Sequence, residues 1–218
     1  MASGTSTIIE ADCLPRQPTP WPATSPSQVP LAATFASFPF GEAVAILSPG
    51  GVCALALGPS TAFLQITLDR YRASIPGQTI APPGEHSMSF PYPLFDPASA
   101  DLPHLIVSGT PFQLRVWQAT ARIPFGEVRT YTQIAQQIGS PQASRAVGSA
   151  LAANQIAFAI PCHRVVRADH APGSYRWGAP LKERILSWEQ AFHPRPRARS
   201  LPQIVALGPP GRRAASGS

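Results

Sequence analysis

A mixed α+β chain in two folded parts, strand-rich first and mainly helical after, is the fold class the sequence predicts, and three observations predict it. Two apolar runs of strand length, residues 43–47 and 52–57, flank Ser48-Pro49-Gly50-Gly51, which reads as a hairpin. Beyond residue 110 the signals change to helix starts: Thr110 stands before Pro111, and Thr130 stands three residues before Gln133. Between these parts, residues 76–103 hold seven prolines and few periodic positions, the pattern of a linker.

Taken in order, residues 1–30 carry six prolines among serine, threonine and alanine, and are expected to form a disordered leader. Cys13 falls in it, as an inert free thiol. Residues 31–103 make the N-terminal domain with its linker. After Pro59, Phe63, Ile66, Arg70 and Tyr71 fall at helical spacing, with Ser60 or Thr61 as the cap, and Cys53 fills the core inside the second strand.

Residues 104–192 form the second domain. Phe112, Val116, Ala119 and Ile123 line one face of a helix opened by Thr110 and Pro111 and closed by Pro124-Phe125-Gly126. Thr130 and Gln133 start a short helix to Ile138. Gly139 stops it, Ser140 recaps, and Pro141 starts another helix reaching about Ala153. Two short helices on a glycine turn read as a helix-turn-helix. The second of them is crowded with small residues, including Ala143, Ser144, Gly148 and Ser149, so it can approach another surface closely, and its long polar projection is Arg145. Pro180 starts a last helix with Leu181, Ile185 and Trp188 on its apolar side and Glu189 on its last turn. Residues 193–218, with five arginines and no acid, are expected to be a disordered basic tail that adds salt-sensitive affinity for a polyanion.

Composition excludes several classes. No run approaches the roughly 20 apolar residues that a bilayer requires, and the N-terminus lacks a basic-then-apolar secretory pattern. Three cysteines, Cys13, Cys53 and Cys162, make no disulfide framework and point to a reducing, cytoplasmic setting without a membrane. The net charge of +6 is unevenly placed: residues 1–109 have three arginines against seven acids, whereas residues 110–190 have nine basic groups against four acids. Sixteen of the seventeen cations are arginine, which suits bidentate contacts to phosphate and a polyanionic partner.

The chemistry concentrates in Ile160-Pro161-Cys162-His163-Arg164-Val165-Val166. A thiol at its free pKa is little ionised at neutral pH, and a basic neighbourhood of His163, Arg164 and Arg167 favours the nucleophilic thiolate. Pro161 cannot donate to a ladder, so the chain is expected to turn here and let His163 act on Cys162 through the turn or through a water.

These residues sit in an ordered series: Gly109-Thr110-Pro111-Phe112-Gln113, Ile123-Pro124-Phe125-Gly126-Glu127, Arg145-Ala146-Val147-Gly148, Asn154, the Pro-Cys-His-Arg core, and Tyr175-Arg176-Trp177-Gly178. The series resembles the O6-alkylguanine-DNA alkyltransferases, the methylated-DNA-protein-cysteine methyltransferases, in their bacterial form, over about residues 109–190. The resemblance implies a small ribonuclease H-like N-terminal domain before the helix-turn-helix domain. It implies irreversible, single-turnover transfer of an alkyl group from O6-alkylguanine, and from O4-alkylthymine, in double-stranded DNA to Cys162. The protein would act as a monomer, without cofactor or metal. In that scheme His163 takes the thiol proton through a water, Glu189 holds the histidine, Asn154 fixes the turn, and Tyr131 donates to the ring nitrogen of the departing base. Arg145 replaces the extruded nucleotide in the minor groove, on a helix that presents Ala143, Ser144 and Ser149 to the DNA. Leu151, Val165, Tyr175 and Arg176 form the base pocket, Val165 and Arg176 through their backbones. Departures are local: Ser108 stands where many relatives carry arginine, and Ala168-Asp169-His170 replaces a loop that usually has glycine. The acceptor cysteine separates the chain from the recognition-only relatives that lack one. A thiol hydrolase would leave Arg145 and the helix-turn-helix unexplained, and the four clustered cysteines of a methylation-triggered regulator are absent.

Overall fold

The computed structural model describes residues 7–9, 30–74, 79–82, 88–96, 99, 101–191 and 201–207. Its centre is a seven-stranded sheet. After a short first strand, β1 (Thr7–Ile9), come β2 (Leu31–Phe38), β3 (Gly41–Ser48) and β4 (Gly51–Gly58), an antiparallel meander. The expected hairpin is β3–β4. Gly51 in its turn has φ +142°, and a Cβ there would lie 2.3 Å from the carbonyl oxygen of His104, so the turn requires glycine twice over.

Helix α1 (Thr61–Ser74) follows as expected, but on a different face. Leu64 and Leu68 are buried, whereas Phe63, Ile66 and Arg70 are exposed and Tyr71 is half-buried. The i, i+4 leucine pair meets the sheet, and the periodicity read through Phe63 belongs to the outer side.

Beyond α1, β5 (Ile80–Ala81) pairs parallel with β2, and Tyr92–Phe95 form a 3-10 turn that buries Leu94 and Phe95. The predicted linker is thus partly built into the core. Strand β6 (Leu105–Ser108) then pairs with β4 at Val52, inside the sheet although it lies within the predicted second domain.

The helical part starts with α2 (Pro111–Ala121), capped reciprocally by Thr110 and Gln113. Gly109 lies against Trp117, where a Cβ would come within 2.7 Å of the indole. Next come β7 (Arg129–Thr130) and α3 (Tyr131–Gln137), with the Thr130–Gln133 capping box in place. Helix α4 (Ser144–Ala152) starts three residues later than expected, because residues 141–143 form a turn closed by the Ala143 N–H on the Ser140 carbonyl. A 3-10 turn at Cys162–Arg164 leads into β8 (Val165–Val166), which pairs parallel with β7, and α5 (Ala179–Ala191) buries Leu181 and Ile185 as predicted.

The expectation of a disordered tail is corrected at residues 201–207. There β9 (Ile204–Leu207) runs parallel to β6, in register from Leu105 opposite Ile204 to Ser108 opposite Leu207, with Ile204, Val205 and Ala206 buried. A four-residue apolar run suffices for a strand when a parallel neighbour supplies the ladder. Strand β1 pairs antiparallel with β9, so the leader also contributes a strand. The sheet order is β1-β9-β6-β4-β3-β2-β5. The remaining leader and tail residues, Cys13 among them, lie outside the described residues.

One junction positions the site. Strand β4 meets β6 only at Val52, and farther along the same edge Leu55 donates its N–H to the Gln155 carbonyl (2.9 Å) and accepts from the Ala157 N–H (2.7 Å). The segment leading to Cys162 is therefore docked on the N-terminal sheet.

Candidate active site

Helix α4 ends at Ala152, and Asn154 follows with its side chain fully enclosed. Its Oδ1 accepts from the Ile156 N–H (2.9 Å), and its Nδ2 lies on the Ile156 carbonyl (3.2 Å), the Ile160 carbonyl (3.0 Å) and Cys162 Sγ (3.3 Å). One amide thus closes the loop and touches the thiol. Phe158, in the middle of that loop, has φ +63°, a left-handed conformation uncommon for a bulky side chain. Pro161 then opens the 3-10 turn, so Cys162 and His163 do not alternate across a strand, as predicted.

The imidazole of His163 is wholly buried. Its Nε2 lies 2.9 Å from Glu189 Oε1, and its Nδ1 has no partner within the protein. Glu189 reaches it from the last turn of α5. The same carboxylate receives Arg164 Nε at 3.0 and 3.1 Å and an Arg164 terminal nitrogen at 2.7 Å, with the Gly126 N–H at 3.2 Å. Arg164 is itself fixed by a 2.7 Å bond to the Ile123 carbonyl. Lys182, also on α5 and fully buried, donates to the carbonyls of Val165 and Pro172.

The charges follow from these contacts. Burial pushes the Cys162 thiol up to about 11, against the Asn154 amide and the cations Lys182 and Arg176, which pull it down. Burial would also raise Glu189, but His163 and Arg164 more than offset it and hold the carboxyl at about 2, so Glu189 is ionised. Burial lowers His163, and although Glu189 opposes this, the imidazole is neutral at physiological pH. A neutral ring that faces a carboxylate through Nε2 carries its proton there. Nδ1 is then a free acceptor, which is what a proton leaving Cys162 requires. Burial brings Lys182 down to about 8, with the Cys162 charge acting the other way.

Pairing of β7 with β8 sets Tyr131, at the start of α3, beside this turn. Burial, then the Cys162 charge, raises the Tyr131 hydroxyl, which stays a donor. Tyr175 enters from the loop before α5, with its ring edge-on to His163 and its hydroxyl buried without a partner. Arg176 Nη1 donates to the Ala152 carbonyl (3.0 Å), linking that loop to α4.

Cys162, His163, Asn154 and Glu189 are therefore in one buried cluster, with Tyr131 and Tyr175 at its border and Leu151 and Val165 buried beneath. Arg145 and Ser149 lie one turn apart on the exposed face of α4, and Ala143 and Ser144 are half-buried at its start. Arg164 does not act on the thiol as expected. It is spent on Glu189, and the cations that act on Cys162 are Lys182 and Arg176. Lys182 escaped sequence reasoning, although it is the one lysine among seventeen cations. Phe158 left no mark in the pattern.

Residues 111–191 match the family described as 6-O-methylguanine DNA methyltransferase, DNA binding domain. The Escherichia coli bifunctional transcriptional activator/DNA repair enzyme Ada is 53% identical over 85 residues, 39% of this chain and 24% of Ada. A methylated-DNA–protein-cysteine methyltransferase of Methanosarcina acetivorans is 49% identical over 85 residues, 39% of this chain and 54% of its own length. The chain thus spans a quarter to about half of these curated relatives. A solved variant of Mycobacterium tuberculosis OGT aligns far more fully, with a TM-score of 0.60 and 30% identity over 77% of this chain and 96% of that one. Agreement over almost all of that relative carries the likeness past the 111–191 segment into the sheet, and the chain belongs to the O6-methylguanine DNA methyltransferase family.

Proposed function

We propose that the protein reverses alkylation damage directly, moving the alkyl group of O6-alkylguanine in double-stranded DNA onto Cys162. The observation that carries this reading is the buried imidazole with Nε2 on an ionised Glu189 and Nδ1 unpartnered at the Cys162 turn. The thiol proton passes to His163 Nδ1, through a water. The sulfur then attacks the alkyl carbon and the carbon–oxygen bond breaks with its electron pair left on the base; the base's ring nitrogen, to which Tyr131 donates a hydrogen bond, takes up a proton to give guanine, balancing the proton the thiol released to His163. The product is a thioether with no leaving group, so each molecule acts once.

The finer readings rest on the same base. The order β2–β3–β4–α1 supports a ribonuclease H-like N-terminal domain, and α3, the Gly139 turn and α4 support a helix-turn-helix. The exposed Arg145 and Ser149 support α4 as the element that enters the minor groove, with Arg145 standing in for the flipped nucleotide. Leu151, Val165, Tyr175 and Arg176 would then surround the base. A structure of OGT from Mycobacterium tuberculosis in complex with DNA, 30% identical, is in keeping with this partner. No helix among the described residues is long and apolar enough to cross a membrane. On three cysteines that form no disulfide framework and on the family resemblance, we assign the protein to the cytoplasm as a monomer.

The test is intact-protein and peptide mass spectrometry after incubation with a duplex containing O6-methylguanine. The expected result is one methyl group on the Cys162 peptide, guanine restored, and no gain in Cys162→Ala. Tight lesion binding without mass gain would refute transfer.

A further inference from the structure

His163 must present Nδ1 in one direction, and its bond to Glu189 fixes only one end of the ring. Rotation about the Nε2–Glu189 axis has to be stopped by packing. The imidazole is stacked on the Phe158 ring, with centroids 5.4 Å apart and planes 24° apart, while Tyr175 meets its edge at 6.4 Å. Phe158 is in turn stacked on Phe95 (4.4 Å, 23°) and on Phe40 (5.9 Å, 7°), and Trp188 of α5 closes the side at 6.0 Å.

Phe95 belongs to the 3-10 turn of the linker region, and Phe40 to the bend between β2 and β3. The ring that supports the imidazole is therefore held by the N-terminal half. Phe158 reaches this place only through a left-handed backbone, one residue after Ala157 is pinned to Leu55 of β4. Strain of that kind in a bulky residue persists only where its surroundings over-determine it. The docked 155–157 segment on one side and the Asn154–Ile160 closure on the other do so.

We propose that Phe158 is a positioning residue that fixes the plane of the His163 imidazole, and that through Phe95 and Phe40 the N-terminal half forms part of the reacting unit. The inference rests on the proposed transfer reaction for its consequence, but the geometry of the imidazole can be read without it. The charged and titratable groups acting on or meeting that ring are Glu189 and Lys182 from α5, Arg164 from the 3-10 turn, and Tyr175 from the following loop, with Cys162 its neighbour in the chain.

The experiment compares Phe158→Gly, Phe158→Ala and Phe95→Leu in the full chain by ¹⁵N NMR of the His163 ring nitrogens, with single-turnover transfer to a duplex containing O6-methylguanine. Glycine relieves the backbone and removes the ring, whereas alanine keeps the strain and removes the ring. Both Phe158 variants should lose the single Nε2–H tautomer and move the imidazole's titration upward, toward the ordinary value near 6.5, as water enters. The transfer rate constant at saturating DNA should fall about tenfold or more, because a misdirected acceptor costs rate and not binding. Half-saturation by DNA should not change. Phe95→Leu, which leaves Phe158 in place but loosens its support, should move the same readouts less.

An unchanged tautomer and titration in the folded Phe158→Gly or Phe95→Leu protein would overturn the proposal, whatever the rate. So would a normal rate in Phe158→Gly beside a slow Phe158→Ala, which would put the effect in the backbone. Should the imidazole respond as expected while even the wild type transfers no methyl group, the positioning role stands and the proposed reaction falls.

Discussion

The two halves of the molecule bury different things. Among the described residues, the buried polar or charged side chains are Ser48, Thr120, Asn154, His163, Arg164, Lys182 and Glu189, and only Ser48 belongs to the N-terminal half. The sheet of β2, β3, β4 and β6 is held by hydrocarbon, where each methylene removed costs about 1 kcal/mol and the loss is graded. The region around Cys162 is held by ions and amides whose partners are fixed, and removal of one strands the others. Damage there should be steep.

The strongest test of this contrast is Glu189→Ala, which leaves Arg164 buried beside His163 with no anion. Breaking a buried pair by removing one member costs about 3–5 kcal/mol. Urea unfolding should show a loss of that size, and a loss below about 1 kcal/mol would mean that Arg164 finds water and the contrast fails.

Acid should act on the same cluster. Burial lowers His163, so the unfolded chain takes up a proton that the folded one refuses, and stability falls as pH drops below about 6.5. Glu189 follows, since its folded value of about 2 lies below the unfolded one near 4.3. Its contribution, on the order of 3 kcal/mol, is complete above the unfolded value and is lost as pH falls toward 2. Chemical denaturation between pH 7 and 2 should show both steps, and Glu189→Gln should remove the lower one.

A smaller effect is expected from deleting residues 201–218. The deletion removes β9, so Ile204 and Val205 no longer cover the β6 edge, and the net loss should be about 2 kcal/mol in thermal or urea unfolding. Unchanged stability would show that β9 contributes no more than the free tail expected at first. The smallest effect on stability is expected from Arg145→Ala on the exposed face of α4, within about 0.5 kcal/mol, while affinity for lesion-containing duplex should drop in a salt-dependent binding assay.

What was legible in the sequence follows the same division. Thr110, Thr130 and Pro180 announce helix starts because capping chemistry is local, and Pro161 announces a turn for the same reason. The grouping of Cys162, His163, Asn154 and Glu189 came from the resemblance to the alkyltransferases; in the structure Asn154 touches Cys162 and Glu189 touches His163. Strands β6 and β9 were not legible, since a parallel strand of four residues takes its ladder from a distant neighbour and shows no period of its own. The face of α1 was misread because Phe63 and Ile66 are large and apolar yet point outward, while Leu64 and Leu68 meet the sheet. The partners of Arg164 and Lys182 were hidden because one reaches 25 residues along the chain and the other bonds backbone carbonyls.

The parallel pairing of β9 with β6 also sets an order of assembly. Its four residues come from beyond α5, so the sheet that holds the Gln155–Ala157 segment cannot be completed until residues 204–207 have been synthesised. Pairing across about a hundred residues closes slowly. The helical part, with its local contacts and caps, therefore has time to form first, and the last strand then locks the sheet behind it.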